Sequence, residues 1–320
     1  MTYIGIDTSN YRTSAARFNA ADHTWQSEAR LLDVPEGTIG LRQSDALFQH
    51  TIRLHEQIAK LSDIKNIAAI GVSTRPRAVE GSYMPCFLAG ESAARSAAHL
   101  LGVPLVVCSH QQGHLAAAAL SADALPLLEE RFLAWHLSGG TTELLLVTPG
   151  EDGLPQAERI GGTTDLAAGQ LIDRAGQRLG LAFPAGAELD ALAQRVQDTL
   201  QPFAVKVTDS AFSLSGMENK VQALVEQGEH PARIARFTID TLGRAVVKAT
   251  EQARKRYPLP VLCAGGVMAN TLLQRSMRER FNARVASPQL SGDNAVGVAV
   301  LTAKQCGEAV CKAIFTQSHD

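Results

Sequence analysis

One pattern occurs twice in this chain and restricts its architecture more than any other feature. The apolar run Tyr3-Ile-Gly-Ile6 leads into Asp7-Thr-Ser-Asn10 and then into a second run, Thr13-Ser-Ala-Ala-Arg-Phe18. In the second half Phe132-Leu-Ala-Trp-His-Leu137 leads into Ser138-Gly-Gly-Thr-Thr142 and on to Glu143-Leu-Leu-Leu-Val147. Short apolar runs bounded by hydroxyl and glycine residues read as strand–turn–strand units. Hydroxyls can donate to a phosphate, and glycines let a ligand reach backbone N–H groups without Cβ interference. An ordinary polar hairpin is the other meaning of the first turn. Strands followed by helices in each half predict an α/β chain of two lobes around a cleft. The boundaries expected are 1–131 plus 295–320 for one lobe and 132–294 for the other.

Between the two hairpins lie three features with chemical content. Ser44 can cap a helix whose stripe runs through Leu47, Ile52, Leu54, Ile58 and Leu61. The strand Asn66–Val72 runs into Ser73-Thr-Arg-Pro-Arg-Ala-Val-Glu80, at the end of a strand where α/β folds keep their sites. Arg75 and Arg77 there can clamp a carboxylate or phosphate, a solvated loop being the alternative. The third feature is His110-Gln-Gln-Gly-His114, between the apolar run Val103–Cys108 and the helical Leu115–Leu120. Residues four apart share a helix face, so the two imidazoles can hold one divalent metal if a carboxylate arrives from elsewhere. Two unrelated histidines at a helix start would look the same. Gln111 stands where H-E-x-x-H metalloproteases carry their glutamate.

The second half continues with a helix predicted over Thr163–Leu181, carrying Asp165, Gly169 and Asp173, then a turn marked by Pro184 and Gly186. Helices follow over 187–196, from Ser213 onward and over 234–257. The strand Leu259–Ala264 ends in Gly265-Gly-Val-Met-Ala-Asn270, and a helix, a strand at 284–287 and a last helix over 295–305 complete the chain.

The net charge of -2 and pI near 6.5 argue against an autonomous nucleic-acid binder, which carries a basic footprint. An RNA substrate would need a local patch or a partner to hold it. Five cysteines without a C-x-x-C pair suit reduced, buried thiols. The start shows no charged leader with an apolar core, and no apolar run approaches the roughly 18 residues of a membrane span. A soluble cytoplasmic protein is expected.

The chain resembles a known family through motifs in a fixed order: His110-x-x-x-His114, Ser138-Gly-Gly140, Asp165-x-x-x-Gly169-x-x-x-Asp173, Phe183-Pro-x-Gly186, Phe212-Ser-x-Ser-Gly216, Ala264-Gly-Gly-Val-x-Ala-Asn270 and Asp293-Asn294. The family is that of the catalytic subunit of tRNA N6-threonylcarbamoyladenosine synthase, long called O-sialoglycoprotein endopeptidases (peptidase family M22). The resemblance implies a duplicated actin-like ATPase (ASKHA) fold of the actin, Hsp70 and sugar-kinase type. It implies transfer of a threonylcarbamoyl group from threonylcarbamoyl-adenylate to N6 of adenosine 37 in tRNAs that read ANN codons. It further implies one divalent metal, iron or zinc, on His110, His114 and Asp293. The adenine nucleotide or adenylate would contact His136, Leu137, Ser138, Gly139, Gly140, Asp173, Gly186, Asp190, Gly265, Gly266 and Asn270. A helix cap is the alternative role for Asp293 and Asn270. Implied partners are tRNA, held through partner subunits, and other threonylcarbamoylation proteins, with a homo- or heterodimer among the arrangements.

The chain also departs from the family. Tyr11 and Arg12 stand where the synthases carry an acidic pair, which removes a general base and adds a fixed positive charge. Arg75-Pro-Arg77 with Glu80 replaces a glycine-proline loop, and Thr141 follows Ser138-Gly-Gly140 where the synthases have His or Asn. The chain therefore looks like a divergent paralogue, with Ser9, Arg12, Arg75 and Arg77 as candidates for the altered chemistry. Two other functions fit this pattern: a carbamoyl or acyl-adenylate transferase with another acceptor, and a non-catalytic nucleotide-binding paralogue that regulates a true synthase. A protease does not fit, for want of a positioned base beside the metal pair.

Overall fold

The computed structural model describes residues 1–9, 11–35, 40–290 and 294–308. The first half contains β1 (Thr2–Ser9), β2 (Arg12–Asn19), β3 (Trp25–Leu31), α1 (Gln43–Lys60), β4 (Ile67–Arg75), α2 (Phe87–Leu101), β5 (Leu105–Ser109) and α3 (His110–Ser121). After it come β6 (Phe132–Leu137), β7 (Thr142–Pro149), β8 (Pro155–Thr163), α4 (Ala168–Arg178), α5 (Gly186–Ala193), β9 (Val207–Thr208) and β10 (Ala211–Phe212). The chain then forms α6 (Ser215–Glu226), α7 (Pro231–Arg256), β11 (Val261–Ala264), α8 (Thr271–Phe281), β12 (Arg284–Val285) and α9 (Ala295–Gln305).

These elements make two compact units. Unit 1 holds Met1–Glu130, Thr148–Ala157 and the described residues between Gly292 and Asp320; unit 2 holds Arg131–Val147 and Glu158–Ser291. Residues 148–157, expected with the second lobe, group with unit 1 because α9 and α3 hold their turn. Lys304 Nζ donates to Gly153 O (2.7 Å), Gln305 Nε2 to Asp152 O (2.5 Å) and Gln112 Nε2 to Pro155 O (3.0 Å).

The sheet of unit 1 has the order β3-β2-β1-β4-β5, antiparallel from β3 to β1 and parallel from β1 to β5. Unit 2 repeats this order as β8-β7-β6-β11-β12, with β10 and β9 added beyond β8. Its β6–β7 hairpin is antiparallel, and β6, β11 and β12 run parallel. Parallel strands need crossover connections, which the helices supply. In unit 1, Ile4, Ile6, Ile70 and Val72 pack on Leu54, Ala94 and Ala98 of α1 and α2. The opposite face carries α9 so closely that a Cβ on Gly5 would strike the Ala295 carbonyl. That contact fixes where α9 begins, and so places Asn294. In unit 2, Trp135, Leu137, Leu144 and Leu146 meet Ile239, Leu242 and Val246 of α7. Trp135 Nε1 donates to Thr250 Oγ1 (2.8 Å), so the one polar atom of that indole is satisfied inside the core.

Some local expectations differ from the structure. α1 begins after Arg42, not at Ser44, whose hydroxyl turns to Asp45 (3.4 Å). Asp165 precedes α4 and does not ride on it. Its carboxylate accepts from Leu166 N (2.6 Å), Leu214 N (2.9 Å) and Ser215 Oγ (2.7 Å), which ties the Ser213–Ser215 segment to the turn after β8. β8 itself is a strand that sequence patterning does not reveal. Gly161 and Gly162 interrupt its apolar alternation, yet they are required where its backbone passes Ser210 and Thr142. No helix among the described residues is long and apolar enough to cross a membrane.

Candidate functional site

In unit 1 the parallel strands β1, β4 and β5 end side by side, and polar residues gather at their C-terminal ends. Asp7 lies in β1 and is 2% exposed. Ser9 Oγ donates to its Oδ2 (2.6 Å), and the Ser73 hydroxyl, from β4, donates to its Oδ1. His110 is the first residue of α3, and its Nδ1 lies 3.2 Å from both Asp7 oxygens. Ser109 caps this helix in a capping box with Gln112, which holds the first turn and its histidine in place. Burial alone would raise the Asp7 pKa. The His110 imidazole and the hydroxyls of Ser73 and Ser9 outweigh burial and hold the carboxyl well below the usual carboxylate range.

Asn294, the residue before α9, completes this cluster. Its Nδ2 donates to His110 O (2.8 Å) and to Asp7 Oδ1 (3.3 Å), and lies 2.9 Å from His110 Nδ1. Its Oδ1 is buried without a hydrogen-bond partner. Gly113 makes room for this amide, since a Cβ there would come within 2.6 Å of Oδ1. Thr8, between Asp7 and Ser9, is spent on scaffolding: its hydroxyl donates to Cys86 O (3.1 Å) and accepts from Gly90 N (3.1 Å) at the start of α2.

The two histidines of α3 stand with ring centroids 4.3 Å apart and planes at 77°. The pair brings together, at the start of α3, two imidazole donors of the type a divalent metal takes. Asp293 lies outside the described residues. Among the described residues no three His, Cys, Asp or Glu side chains converge as a metal-holding group. Serine-nucleophile chemistry does not fit, because Asp7 stands between the serines and His110, whereas activation needs the histidine in the middle. Thiol chemistry does not fit either. Burial holds the Cys108 thiol protonated, the nearby Asp7 charge adding to it, and burial pushes Cys263 up to about 12.

Arg12 begins β2 opposite Ser9 and is half-buried. Arg75 ends β4 and is exposed. Neither forms an ion pair among the described residues. Arg77 is exposed, and its backbone N–H donates to Ser82 Oγ (3.0 Å).

In unit 2 the corresponding strand ends open onto a cavity of about 480 Å³. Its wall combines Gly139, Asp173, Gly186, Asp190, Gly266 and Asn270 with Gly169, Ile172, Pro184, Ala187, Val267 and Ala269. His136, Leu137, Ser138, Gly140 and Gly265 stand outside that wall. Leu137 is fully buried in the core, and Gly265, at φ +100°, backs onto its carbonyl. Ser138 closes the turn, its N–H donating to Thr141 O (2.8 Å) and its Oγ accepting from Thr141 N (3.1 Å). Each polar side chain of the wall has a partner that fixes its direction. Asp173 Oδ1 accepts from Ala185 N (2.9 Å), and Asp190 Oδ1 accepts from Asn270 Nδ2 (2.9 Å). Asn270 Oδ1 in turn accepts from Leu273 N (2.9 Å), so this residue is at once the cap of α8 and a wall residue. Apolar walls with a few oriented polar groups and open glycine backbone suit a heterocycle carrying a polar tail.

Sequence reasoning passes over Asp7 and Ser73 as site residues. The signal was present: Asp7 is an acidic residue that directly follows the apolar run Tyr3–Ile6 in a strand.

Known proteins resemble this chain in sequence and in fold. The family model for TsaD, described as tRNA N6-adenosine threonylcarbamoyltransferase, matches residues 2–300. The protein of that name from Streptococcus thermophilus is 33% identical over 273 residues, covering 79% of this chain and 78% of its own. That from Streptococcus pneumoniae serotype 4 is 33% identical over 244 residues, covering 72% and 68%. Among solved structures, full-length HypF superposes with a TM-score of 0.59 at 13% identity, over 93% of this chain and 55% of that one. The activator of 2-hydroxyisocaproyl-CoA dehydratase from Clostridium difficile gives 0.53 at 15%, over 96% of each chain. A ROK family glucokinase from Streptomyces griseus gives 0.52 at 15%, over 95% and 100%. The structural likenesses fix the fold alone, a duplicated actin-like ATPase fold. The sequence matches go further: this chain belongs to the tRNA N6-adenosine threonylcarbamoyltransferase family.

Proposed function

We propose that this protein transfers a threonylcarbamoyl group from threonylcarbamoyl-adenylate to N6 of adenosine 37 in tRNA. The observation that carries the proposal is the convergence of Gly139, Asp173, Gly186, Asp190, Gly266 and Asn270 on one cavity, in a chain that matches this family over residues 2–300. On this reading the cavity takes the adenylate. Ile172, Ala187 and Val267 offer apolar surface to the base, and Asp173, Asp190 and Asn270 orient the ribose. His110 and His114, with Asp293, hold one divalent ion, iron or zinc. Such an ion, when bound, polarises phosphate or carbamate oxygens as a Lewis acid. The net charge of -2 supports tRNA being held through partner subunits of the same modification system; the compartment proposed is the cytoplasm.

Arg12 favours a second reading. It replaces an acidic residue of the synthases, and it has no acid partner among the described residues to neutralise it. A permanent cation beside the first turn suits an acyl-adenylate transferase whose acceptor brings its own negative charge. Complementation separates the two. In a strain depleted of its synthase, expression of this protein restores threonylcarbamoyladenosine in tRNA on the first reading. Absence of the modified nucleoside, with the protein folded and expressed, moves the other acceptor into first place.

A further inference from the structure

Asp7 carries more hydrogen bonds than a strand residue needs, and one of them reaches out of its own network. Ser9, Ser73 and Asn294 donate to its carboxylate from inside the unit, while the His110 side chain is 28% exposed. A buried carboxylate is a poor device for stability, because an apolar residue of the same volume holds a core at least as well. The contact with His110 gives the charge a use.

Two neutral tautomers are open to His110. With the proton on Nε2, the bare Nδ1 would face two carboxylate oxygens at 3.2 Å and gain one neutral hydrogen bond from Asn294 Nδ2. With the proton on Nδ1, the imidazole donates to a carboxylate, and charge-assisted bonds are roughly twice as strong as neutral ones. Asn294 then gives up only that neutral bond, because its two N–H groups still serve His110 O and Asp7 Oδ1. Turning that amide over would set its oxygen against His110 O and the carboxylate, so its orientation is fixed as well. The Nδ1–H form therefore wins, and it leaves the lone pair on Nε2, across the ring from Asp7.

We propose that Asp7 is the positioning residue of His110, locking the imidazole as its Nδ1–H tautomer so that Nε2 is the nitrogen offered to a metal shared with His114. The proposal rests on the metal reading given above, although the tautomer itself does not depend on any bound ion. Carboxylate partners of metal-ligating histidines orient the ring and raise its basicity, and losing one typically costs ten- to hundredfold in metal affinity.

The test uses the full chain, stripped of metal by a chelator and labelled with 15N at histidine. Two-bond proton–nitrogen correlation spectra distinguish the tautomers, and His110→Gln assigns the signals. Wild-type His110 is expected as the Nδ1–H form, and Asp7→Asn, which keeps the shape, is expected to lose that single tautomer. Zn2+ affinity, measured by chelator competition, should fall ten- to hundredfold in Asp7→Asn. Ser73→Ala, which removes a donor and leaves the carboxylate, should keep the tautomer and most of the affinity. An Nε2–H tautomer in the wild type overturns the proposal, and so does an Asp7→Asn protein with unchanged tautomer and Zn2+ affinity. Should Asp7→Asn fail to fold, the wild-type tautomer alone decides. If the wild type binds no Zn2+ while its tautomer depends on Asp7, the metal reading falls and the positioning role stands.

Discussion

The two units share a strand order and use the ends of their parallel strands in opposite ways. In unit 1 those ends are crowded with side chains already bonded to one another: Asp7 with Ser9 and Ser73, and Asn294 with His110. In unit 2 the same place in the topology is hollow, bordered by glycines and by polar groups tied back to helix caps. A crowded, charged end can fix a small hard group such as an ion, and a hollow, glycine-lined end can admit a whole heterocycle. Duplication of a fold thus need not duplicate its chemistry.

The largest effect should come from emptying the crowded end. With His110→Ala and His114→Ala combined, bound divalent metal should vanish from the purified protein, as read by elemental analysis. Equal metal in wild type and double variant would break the comparison at its root.

Filling the hollow end should come next. A Cβ on Gly266 meets nothing within 4 Å, so Gly266→Val folds and its branched side chain projects into the cavity. Adenine-nucleotide affinity by calorimetry should fall by about a hundredfold, roughly 2.7 kcal/mol. Gly140 is equally open yet stands outside the wall, so Gly140→Val should cost much less. Equal losses at both positions would mean that the ligand rests on the Ser138–Thr141 turn and not in the cavity.

The arginines test whether the crowded end also reaches an anion. Arg12 sits opposite Ser9 and Arg75 ends the neighbouring strand, so either can approach a phosphate or carboxylate near Asp7. Each charge-assisted contact is worth on the order of 1.5–3 kcal/mol, so Arg12→Ala or Arg75→Ala should weaken pyrophosphate binding by about ten- to a hundredfold. Unchanged affinity in both, and in Arg77→Ala, would count against an anion at this end and strengthen the reading as a non-catalytic paralogue that regulates a true synthase.

Close packing at the crowded end predicts a stability effect that Gly139 of the cavity wall does not share. Gly113→Ala drives a methyl into the Asn294 amide, which α9 cannot release because it lies against Gly5. Overpacking of this kind costs about 1–3 kcal/mol, to be read from the denaturation midpoint. Gly139→Ala, on the hollow side, should be silent.

How far this contrast can be read from sequence depends on the range of the interactions. The paired hairpins, the histidine helix and α9 are legible because periodicity and glycine turns are local signals. The glycine motifs of unit 2 are legible for the same reason, and Gly139, Gly186 and Gly266 all fall on the cavity wall. Asp7 is not legible, because its meaning comes from Ser73 and His110, which join it only once β1, β4 and β5 lie side by side. β8 stays hidden because Gly161 and Gly162 serve neighbours fixed by the sheet. Ser44 misleads because hydroxyl caps are only one way to start a helix, and the backbone of Arg42 starts this one.

The smallest effect concerns Asp165, a carboxylate of unit 2 bonded as densely as Asp7 but near the surface. Partial burial would raise its pKa. Hydrogen bonds from Ser213, Leu214, Ser215 and Leu166 outweigh burial and hold the carboxyl well below the usual carboxylate range. A carboxyl depressed in the folded state adds stability that is fully present above its unfolded pKa, near 3.9, and is lost as pH falls below that toward the folded value. The wild type should therefore lose stability progressively below about pH 4, and Asp165→Asn should flatten that part of the curve. At neutral pH the substitution trades charge-assisted bonds for neutral ones at an exposed position, so it should cost on the order of 1 kcal/mol. Asp165 ties the Ser213–Ser215 segment to the turn before α4, and nucleotide affinity should hardly change because neither lines the cavity. A large loss of affinity with intact stability would instead make this segment part of the hollow end, and the line drawn between scaffold and site in unit 2 would have to move.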